Sequence, residues 1–315
     1  MSASIDNLIN VNFTKGRNDL LNFGLKLGGR GDHNPYISPL NRLIILLFSN
    51  NEQGAFYIPR PVVNGVQSLF QDAAGTTPVT ADGDPVGLML DQSQGLEVGP
   101  ELFDGDFSAC IQTEDGWTIS ADKLSCNGFE LSEFVYLNDF ISKFSYYEVE
   151  LTVSNYVSGS LAVSLSSGEI DSPLFTSNGT YTFRGYNYSE NLSFYFRSIN
   201  FNGEITYLSV KEISGNQASQ KTSAKRSTAV EVPPWKVAFD GVDDELVVYF
   251  TSSLGSNCTI ARAVPGTGAS ILTGQTIGTS YTIDSDFNAL VILDRALTSA
   301  ETTHLTAYLN QASEV

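Results

Sequence analysis

The middle of the chain, residues 98–214, alternates apolar and polar positions in the period-two pattern of half-buried β-strands. In its clearest run four apolar side chains face one way and two glutamates face the other: Tyr147, Val149, Leu151 and Val153 against Glu148 and Glu150. The alternation recurs at 161–165, 192–196 and 208–210, with Gly, Asn, Ser or Pro between the runs. Short strands at this spacing predict an all-β fold in which 98–214 forms an antiparallel sandwich.

The pattern in the C-terminal third predicts more strands and one helix. Strands are expected at 235–239, 245–250 and 289–293, whereas the polar segment 215–226 is typical of a linker. Thr298–Glu301 is a capping box, because its two end side chains can satisfy free backbone amides of a first helical turn. An apolar stripe at helical spacing follows and predicts a C-terminal helix docked on a sheet: Leu305, Tyr308, Leu309 and Ala312.

The first 45 residues show no sustained helical periodicity, which predicts a largely irregular N-terminal arm. The short apolar run 43–48 fits either a buried strand or a helical turn. The arm carries three acidic residues and five basic ones: Lys15, Arg17, Lys26, Arg30 and Arg42. Because the rest of the chain is acidic, these five cations are the candidates for docking the arm on an acidic partner surface.

Composition and charge exclude several classes of function. The chain of 315 residues has 35 acidic and 17 basic residues, a net charge of −18, so neither nucleic acid nor an anionic membrane is an expected partner. It has no apolar run of the roughly 18 residues that a membrane span needs, and its first residues do not form a signal peptide. The three cysteines lack metal-binding spacing, and His33 and His304 lie far apart, which argues against a zinc site or a Ser-His-Asp hydrolase.

Two sets of motifs resemble modules of structural proteins from tailed bacteriophages. Segments 52–59, 68–80 and 84–93 resemble the opening of a recurrent phage fibre and decoration module. Phe239–Asp244, together with Leu293–Glu301, is similar to the closing half of a laminin-G/concanavalin-like jelly roll, which typically ends in a helix. The resemblance implies a virion protein built on such a jelly roll.

A third set of motifs resembles a galactose-binding-like carbohydrate-binding module at both of its ends: Glu101–Ser108, Gly116–Thr118 and Leu208–Ile213. In the phage modules, a motif like the one that begins at Gly215 follows closely after a motif like the one that ends at Ser93. In this chain residues 98–214 separate the two motifs. This order implies one jelly roll interrupted by an inserted sandwich. Such an insertion is tolerated because the two ends of a domain often lie close together. The predicted domains are a docking arm at 1–45, the outer jelly roll at 46–97 and 215–315, and the nested sandwich at 98–214.

Two acidic groups are candidates for binding a cation. Asp104 and Asp106 flank Gly105 where the carbohydrate-binding modules often hold a structural calcium, a site that needs six to eight oxygen ligands. Tyr207 and Leu208 stand where that family places a further acidic ligand, so an Asx-turn at Asp104 is the favoured alternative and no cofactor is required. The run Asp240–Glu245 is interpreted as a solvated turn between two strands rather than a cation site.

Sugar binding requires aromatic rings together with amides and carboxylates. Five aromatic residues of the predicted inserted sandwich are candidates: Trp117, Tyr146, Tyr186, Tyr188 and Tyr195. Tyr146 and Tyr195 are expected to be exposed, because each lies opposite the apolar face of its strand, whereas Trp117 is more typical of a core position. Glu148 and Glu150 share a strand face at a spacing that a glycosidase pair could use, but a solvated strand face gives the same pattern.

These features together predict a non-enzymatic virion structural protein. Its arm would dock on other virion proteins, and its sandwiches would form a capsid decoration or head fibre that adheres to surface glycans. The alternative is a tail-fibre receptor-binding protein that recognises a host-cell carbohydrate. The predicted assembly is a homotrimer at the virion surface, made in the host cytoplasm without a signal peptide, and avidity from many copies would strengthen weak contacts.

Overall fold

Antiparallel strands make up most of the computed structural model, which describes residues 38–50, 52–94, 98–112, 116–128, 134–165, 170–187, 190–232 and 234–313. The first helix and strands, in chain order, are α1 (Pro39–Phe48), β1 (Gly54–Tyr57), β2 (Val62–Val63), β3 (Val66–Gln67), β4 (Leu69–Phe70), β5 (Pro85–Val86) and β6 (Leu88–Met89). The strands of the middle segment are β7 (Val98–Glu101), β8 (Ile111–Gln112), β9 (Trp117–Ser120), β10 (Lys123–Asn127), β11 (Phe134–Leu137), β12 (Tyr146–Ser164), β13 (Gly179–Tyr186) and β14 (Phe194–Ile213). The last elements are β15 (Ala218–Ser219), β16 (Ser227–Val230), β17 (Lys236–Ala238), β18 (Leu246–Tyr249), β19 (Gly255–Val264), β20 (Gly268–Ile277), β21 (Ser280–Ile283), β22 (Ala289–Leu293) and α2 (Ser299–Ser313).

Strands from the two ends of the described chain pair with each other and form the outer sandwich. One sheet has the order β1-β22-β19-β20, and the facing sheet has the order β21-β18-β15-β6-β4. A three-stranded sheet β17-β16-β5 and the hairpin β2-β3 complete it. Early strands therefore depend on late ones, since β1 pairs with β22 and β6 pairs with β15.

The strands β7–β14 pair among themselves and form the inserted sandwich. Its two long strands, β12 and β14, run antiparallel over most of their length, with register shifts between Thr152 and Ser160 of β12. Such bulges bend a strand, so one strand can contribute to both layers of a sandwich. The predicted fold class, all-β with two nested antiparallel sandwiches and a C-terminal helix, is confirmed. The domain limits drawn from the sequence stay a prediction.

Each sandwich has its own apolar core. The core of the inserted sandwich contains the inward positions that strand alternation predicts, among them Val149, Leu151 and Phe196. In the outer sandwich both faces of β22 are covered: Leu290 and Ile292 face the other sheet, whereas Val291 belongs to a second cluster with residues of the two helices. A strand buried on both faces is a continuous apolar run in the sequence, as 289–293 is.

The C-terminal helix forms as its sequence predicts. The backbone amide of Thr298 donates to Glu301 Oε2 at 2.7 Å, and the amide of Glu301 donates to Thr298 Oγ1 at 3.3 Å, which completes the capping box. Leu305 and Leu309 are fully buried. They pack in the cluster that joins both helices to the outer sheet.

The sequence did not predict helix α1. Ser38 caps it by accepting a hydrogen bond from the amide of Asn41 at 3.2 Å, and Pro39 occupies its first turn, where a missing N–H costs nothing. Leu43 and Leu47 bury one face of this helix against the outer sheet and α2. Residues 39–45, assigned to the irregular arm from the sequence, are therefore helical and packed.

The segment 215–226, which is typical of a linker in composition, is part of the outer sandwich. Ala218 and Ser219 form β15, a middle strand of the five-stranded sheet. Gln217 is fully buried, and its amide accepts from Asp91 N at 2.6 Å and donates to Ser214 O at 2.9 Å. Composition alone does not show that the polar side chains of this segment form hydrogen bonds with buried backbone groups.

Neither helix of the described part of the chain is long and apolar enough to cross a membrane.

Candidate functional site

A cleft of about 670 Å³ lies where the two sandwiches meet. The outer sandwich contributes the loop after β4, the segment 219–221 and the exposed face of β18, and the inserted sandwich contributes the start of β12, the end of β13 and the loop 170–173. The lining includes one aliphatic residue of β18, a row of tyrosines, amides, hydroxyls and six charged groups. A concave, largely preformed space with a few polar groups is the usual form of a ligand site.

Three tyrosines stack in a row across the junction of the sandwiches. Tyr146 and Tyr186 face each other across β12 and β13, with ring centroids 4.8 Å apart. Tyr186 stacks in turn on Tyr249 of the outer sandwich, with centroids 5.2 Å apart and ring planes at 22°. Tyr146 and Tyr186 are 2% and 5% exposed, whereas Tyr249 is half-buried and lines the cleft.

Burial governs the chemistry of the two inner tyrosines. It raises the pKa of both phenols well above the ordinary value, so Tyr146 and Tyr186 are neutral at physiological pH. The buried hydroxyl of Tyr186 has no hydrogen-bond partner within the described residues. A buried hydroxyl without a partner is energetically costly.

Arg184 fastens one wall of the cleft. Its Nη2 donates to Glu148 Oε2 at 2.6 Å, and its Nη1 donates to the carbonyl of Gly75 in the outer sandwich at 3.0 Å. The guanidinium also lies over the ring of Phe70, 4.7 Å from its centroid. Arg184 therefore joins a strand of the inserted sandwich to a loop of the outer one and holds that loop in place.

Lys221 and Asp171 fasten the opposite wall. Lys221 Nζ of the outer sandwich lies 2.8 Å from Asp171 Oδ1 of the inserted one, and only 1% of the Asp171 side chain is exposed. The other carboxylate oxygen of Asp171 accepts from the amide of Leu165 at 2.8 Å. Fixed walls on both sides reduce the ordering that a ligand would otherwise impose.

The aromatic residues proposed from the sequence have different positions. The structure brings Tyr146 and Tyr186 together in the cleft, but Tyr146 is buried and not exposed as predicted, because Phe70 and Leu88 of the outer sandwich cover it. Trp117 is 5% exposed and belongs to the inserted core, as its sequence position suggested. Tyr188 lies outside the described residues.

Tyr195 lies apart from the cleft, on the outer surface of the inserted sandwich. It is half-buried rather than exposed, with its ring 5.4 Å from Tyr136 and 5.9 Å from Phe134 on the neighbouring strand. Asn191 Nδ2 donates to its hydroxyl at 2.7 Å. Neighbouring aromatic rings on β11 therefore cover part of a side chain that strand alternation alone would expose.

The candidate calcium ligands form local turns. Asp104 Oδ1 accepts from the amide of Asp106 at 3.0 Å, which is the Asx-turn that the sequence favoured. Asp106 caps a short 3₁₀ helix at Phe107–Ala109 by accepting from the amide of Ser108 at 2.8 Å. Neither aspartate belongs to the one group of three potential ligands found among the described residues.

That group consists of Asp240, Asp243 and Asp244, and its carboxylates also serve a turn. Asp240 Oδ1 accepts from the amides of Val242, Asp243 and Asp244, the first at 2.8 Å. These hydrogen bonds lower the pKa of Asp240. The arrangement matches the solvated turn predicted for this run.

Of the five candidate docking cations, only one lies in the described part of the chain. Arg42 is half-buried on α1. The other four lie outside the described residues: Lys15, Arg17, Lys26 and Arg30.

Sequence reasoning missed Tyr249, Arg184 and Lys221 as site residues. A signal for Tyr249 was available, because the strand predicted at 245–250 places Val247 and Tyr249 on the face opposite the core residues Leu246 and Val248. No local pattern marks Arg184 or Lys221. Their partners lie 109 and 50 positions away in the sequence.

The fold and the cleft define a β-sandwich protein with a pocket at the junction of its two sandwiches. Comparison with known proteins does not narrow this class further. No protein-family model matches the sequence, and no curated protein matches it. Among solved structures, the chain is similar to the N-terminal CBM22-1–CBM22-2 tandem domain of Xyn10C from Paenibacillus barcinonensis, at 9% identity, over 66% of this chain and 95% of that chain, with a TM-score of 0.28. A structural similarity with this TM-score does not support an inference about function.

Proposed function

We propose that this protein is a non-enzymatic structural protein of a bacteriophage virion that displays its nested sandwiches at the particle surface as a capsid decoration or head fibre and adheres to glycans. The phage assignment rests on the motif resemblances at 52–93 and 239–301. The single structural observation that supports a binding role is the rigid, polar and aromatic cleft between the sandwiches. Its walls come from both sandwiches, so nesting creates a site that neither would form alone.

The contacts of the inserted sandwich support a non-catalytic role. A glycosidase needs one carboxyl group that can hold a proton and a second that acts as nucleophile or base. Glu148 is paired with Arg184 at 2.6 Å, and Glu150 lies 3.5 Å from the hydroxyl of Thr182. Glu148 therefore holds Arg184, which in turn donates to Gly75 O of the outer sandwich, and this contact is a structural role for the carboxylate.

In this proposal the N-terminal arm docks on other virion proteins, and the displayed part assembles as a homotrimer. The whole chain has a net charge of −18, whereas its arm has more basic than acidic residues, which suits attachment of the arm to an acidic capsid or tail surface. Sedimentation equilibrium of the full chain should give three times the chain mass of 34.1 kDa. A mass of one chain at micromolar concentration would rule out a stable trimer.

The experiment that tests the proposed function is immunogold labelling of intact phage particles with antibodies raised against residues 98–214. Label spread over the head is the expected result and would identify a decoration or head-fibre protein. Label confined to the tail tip would replace that role with the receptor-binding alternative. Absence of label would overturn the virion assignment, provided that the same antibodies detect the purified chain and that antibodies preabsorbed with it give no signal.

A further inference from the structure

The cleft presents one accessible aromatic ring on a rigid support. Tyr249 is half-buried, while Tyr186 and Tyr146 lie stacked behind it and are almost fully buried. Val247 lines the cleft two residues earlier on the same face of β18. A ring held by stacking loses little conformational freedom when a flat apolar face packs on it.

The charged groups around this ring are balanced. Three cationic and three acidic side chains line the cleft: Arg184, Lys221 and Arg226 against Asp72, Asp171 and Glu245. Most of them are already paired, as in Lys221–Asp171 at 2.8 Å and in Glu245 with Lys225 at 3.1 Å. A balanced site gives no net attraction to a strongly charged ligand, in contrast with the overall charge of −18.

Paired carboxylates, amides and guanidinium groups still offer hydrogen bonds to a neutral polar ligand. The carboxylate of Glu245 is 31% exposed and provides acceptor positions beyond its ion pair, and a lysine or arginine side chain provides several donors. Gln220 contributes an amide at the base of the cleft, where its Nε2 lies 3.3 Å from Glu245 Oε1. Adjacent donors and acceptors around an aromatic ring match a ligand with one apolar face and a rim of hydroxyl groups.

We propose that the cleft between the two sandwiches binds a neutral saccharide, with one sugar ring packed on Tyr249 and its hydroxyl groups bonded to the paired charged side chains. This inference deepens the proposed function and rests on its glycan-adhesion part. It assigns recognition to the junction and not to the surface of the inserted sandwich around Tyr195. A volume of about 670 Å³ lies within the usual range for small-molecule sites.

The test begins with the purified full chain on an array that carries neutral hexose and N-acetylhexosamine oligosaccharides beside sialylated and uronic-acid oligosaccharides. Neutral oligosaccharides should bind, and titration calorimetry of the best neutral oligosaccharide on the array should then compare four variants. Tyr249→Ala should weaken binding about tenfold or more, and Tyr249→Phe, which keeps the ring, should stay within about threefold of the wild type. Tyr207→Ala removes a 46% exposed tyrosine outside the cleft and Tyr195→Ala removes the rival aromatic surface, so both should leave affinity unchanged.

Hydrogen exchange of the wild-type chain keeps the test valid if Tyr249→Ala does not fold. Addition of the same oligosaccharide should slow exchange at 72–77 and 170–173, the two loops that line the cleft. No binding on the array, binding only to the acidic oligosaccharides, or loss of affinity in Tyr195→Ala alone would each overturn the proposal. None of these results depends on the particle labelling, so failure of the site and failure of the virion assignment are distinguishable.

Discussion

Asp91 Oδ2 accepts a hydrogen bond of 2.8 Å from the backbone amide of Asn216, which lies 125 positions later in the chain. These two residues flank the inserted sandwich, so the contact joins the points where the chain leaves the outer sandwich and returns to it. Asp91 also accepts from the amides of Phe56 and Ser93, and the hydroxyl of Tyr57 donates to the carbonyl of Asn216. The junction is therefore held by buried hydrogen bonds and not by a flexible linker.

Removal of the Asp91 carboxylate should destabilise the protein strongly. Asp91→Ala leaves three backbone amides without their acceptor, two of them in buried hydrogen bonds, and we expect a loss of about 3 kcal/mol or more in the free energy of unfolding. Urea unfolding followed by circular dichroism measures this loss. Asp84→Ala is the matched control, since its exposed carboxylate also accepts from two amides and should cost at most about 1 kcal/mol. Equal losses for the two variants would contradict a special role of the junction.

The pH dependence of stability should also report on Asp91. Burial raises its pKa from 3.8 to about 6, although hydrogen bonds from Phe56, Asn216 and Ser93 oppose the shift. Between these pH values the folded chain keeps a proton that the unfolded chain has released, so the contribution of Asp91 to stability falls as the pH rises and levels off about one unit above its folded pKa. The expected fall is on the order of 3 kcal/mol.

Other carboxyl groups titrate in the same range, so the measurement is the difference between the wild type and Asp91→Asn. The unfolding free energy of the wild type minus that of the variant should decrease from pH 4 to pH 7 and then level off. A difference that stays constant or increases over this range would show that the pKa of Asp91 is not raised.

Arg295 should be essential for the helical layer of the outer sandwich. Its Nη2 lies 2.7 Å from Glu301 Oε1 and 3.1 Å from Glu52 Oε1, and the same nitrogen donates to Leu47 O at the end of α1. The side chains of Glu52 and Glu301 are only 7% and 8% exposed, so Arg295→Met would leave two nearly buried carboxylates without their cationic partner. We expect a loss of about 2 kcal/mol or more, measured by urea unfolding.

The control for this prediction is an exposed ion pair. Lys143 Nζ lies 3.0 Å from Glu190, and both side chains are more than half exposed. Lys143→Met should therefore change the unfolding free energy by no more than about 0.5 kcal/mol. If the two substitutions had equal effects, burial of the carboxylates would not explain the role of Arg295.

Gly159 should tolerate no side chain, because β12 approaches β14 closely at its bulge. Its φ is +76°, and an added Cβ would lie 2.0 Å from the carbonyl oxygen of Asn200. Gly159→Ala should lower the unfolding free energy by about 2 kcal/mol or more. Gly274→Ala is the control, since Gly274 has a φ of +65° but open space around its Cβ position, and it should cost about 1 kcal/mol. Thermal unfolding of both variants separates the close contact from the backbone strain.

The sequence could predict what depends on neighbours along the chain. Strand alternation identifies the inward side chains Val149 and Leu151, and the Thr298–Glu301 spacing identifies the start of α2, because both patterns follow from local backbone geometry. The order of the motifs was enough to suggest a nested arrangement, which is the topology that the structure shows. Helix α1 was missed because its apolar run also fitted a buried strand.

Only the tertiary structure decided where the candidate site lies. Tyr146 was expected to be exposed because periodicity describes a single strand, whereas its burial depends on Phe70 and Leu88, which the outer sandwich brings over it. The cleft likewise needs Tyr249 and Lys221 from one sandwich and Asp171 from the other. Contacts between residues so distant in sequence leave no local pattern, since they are set by how two complete sandwiches pack and not by the geometry of any one strand.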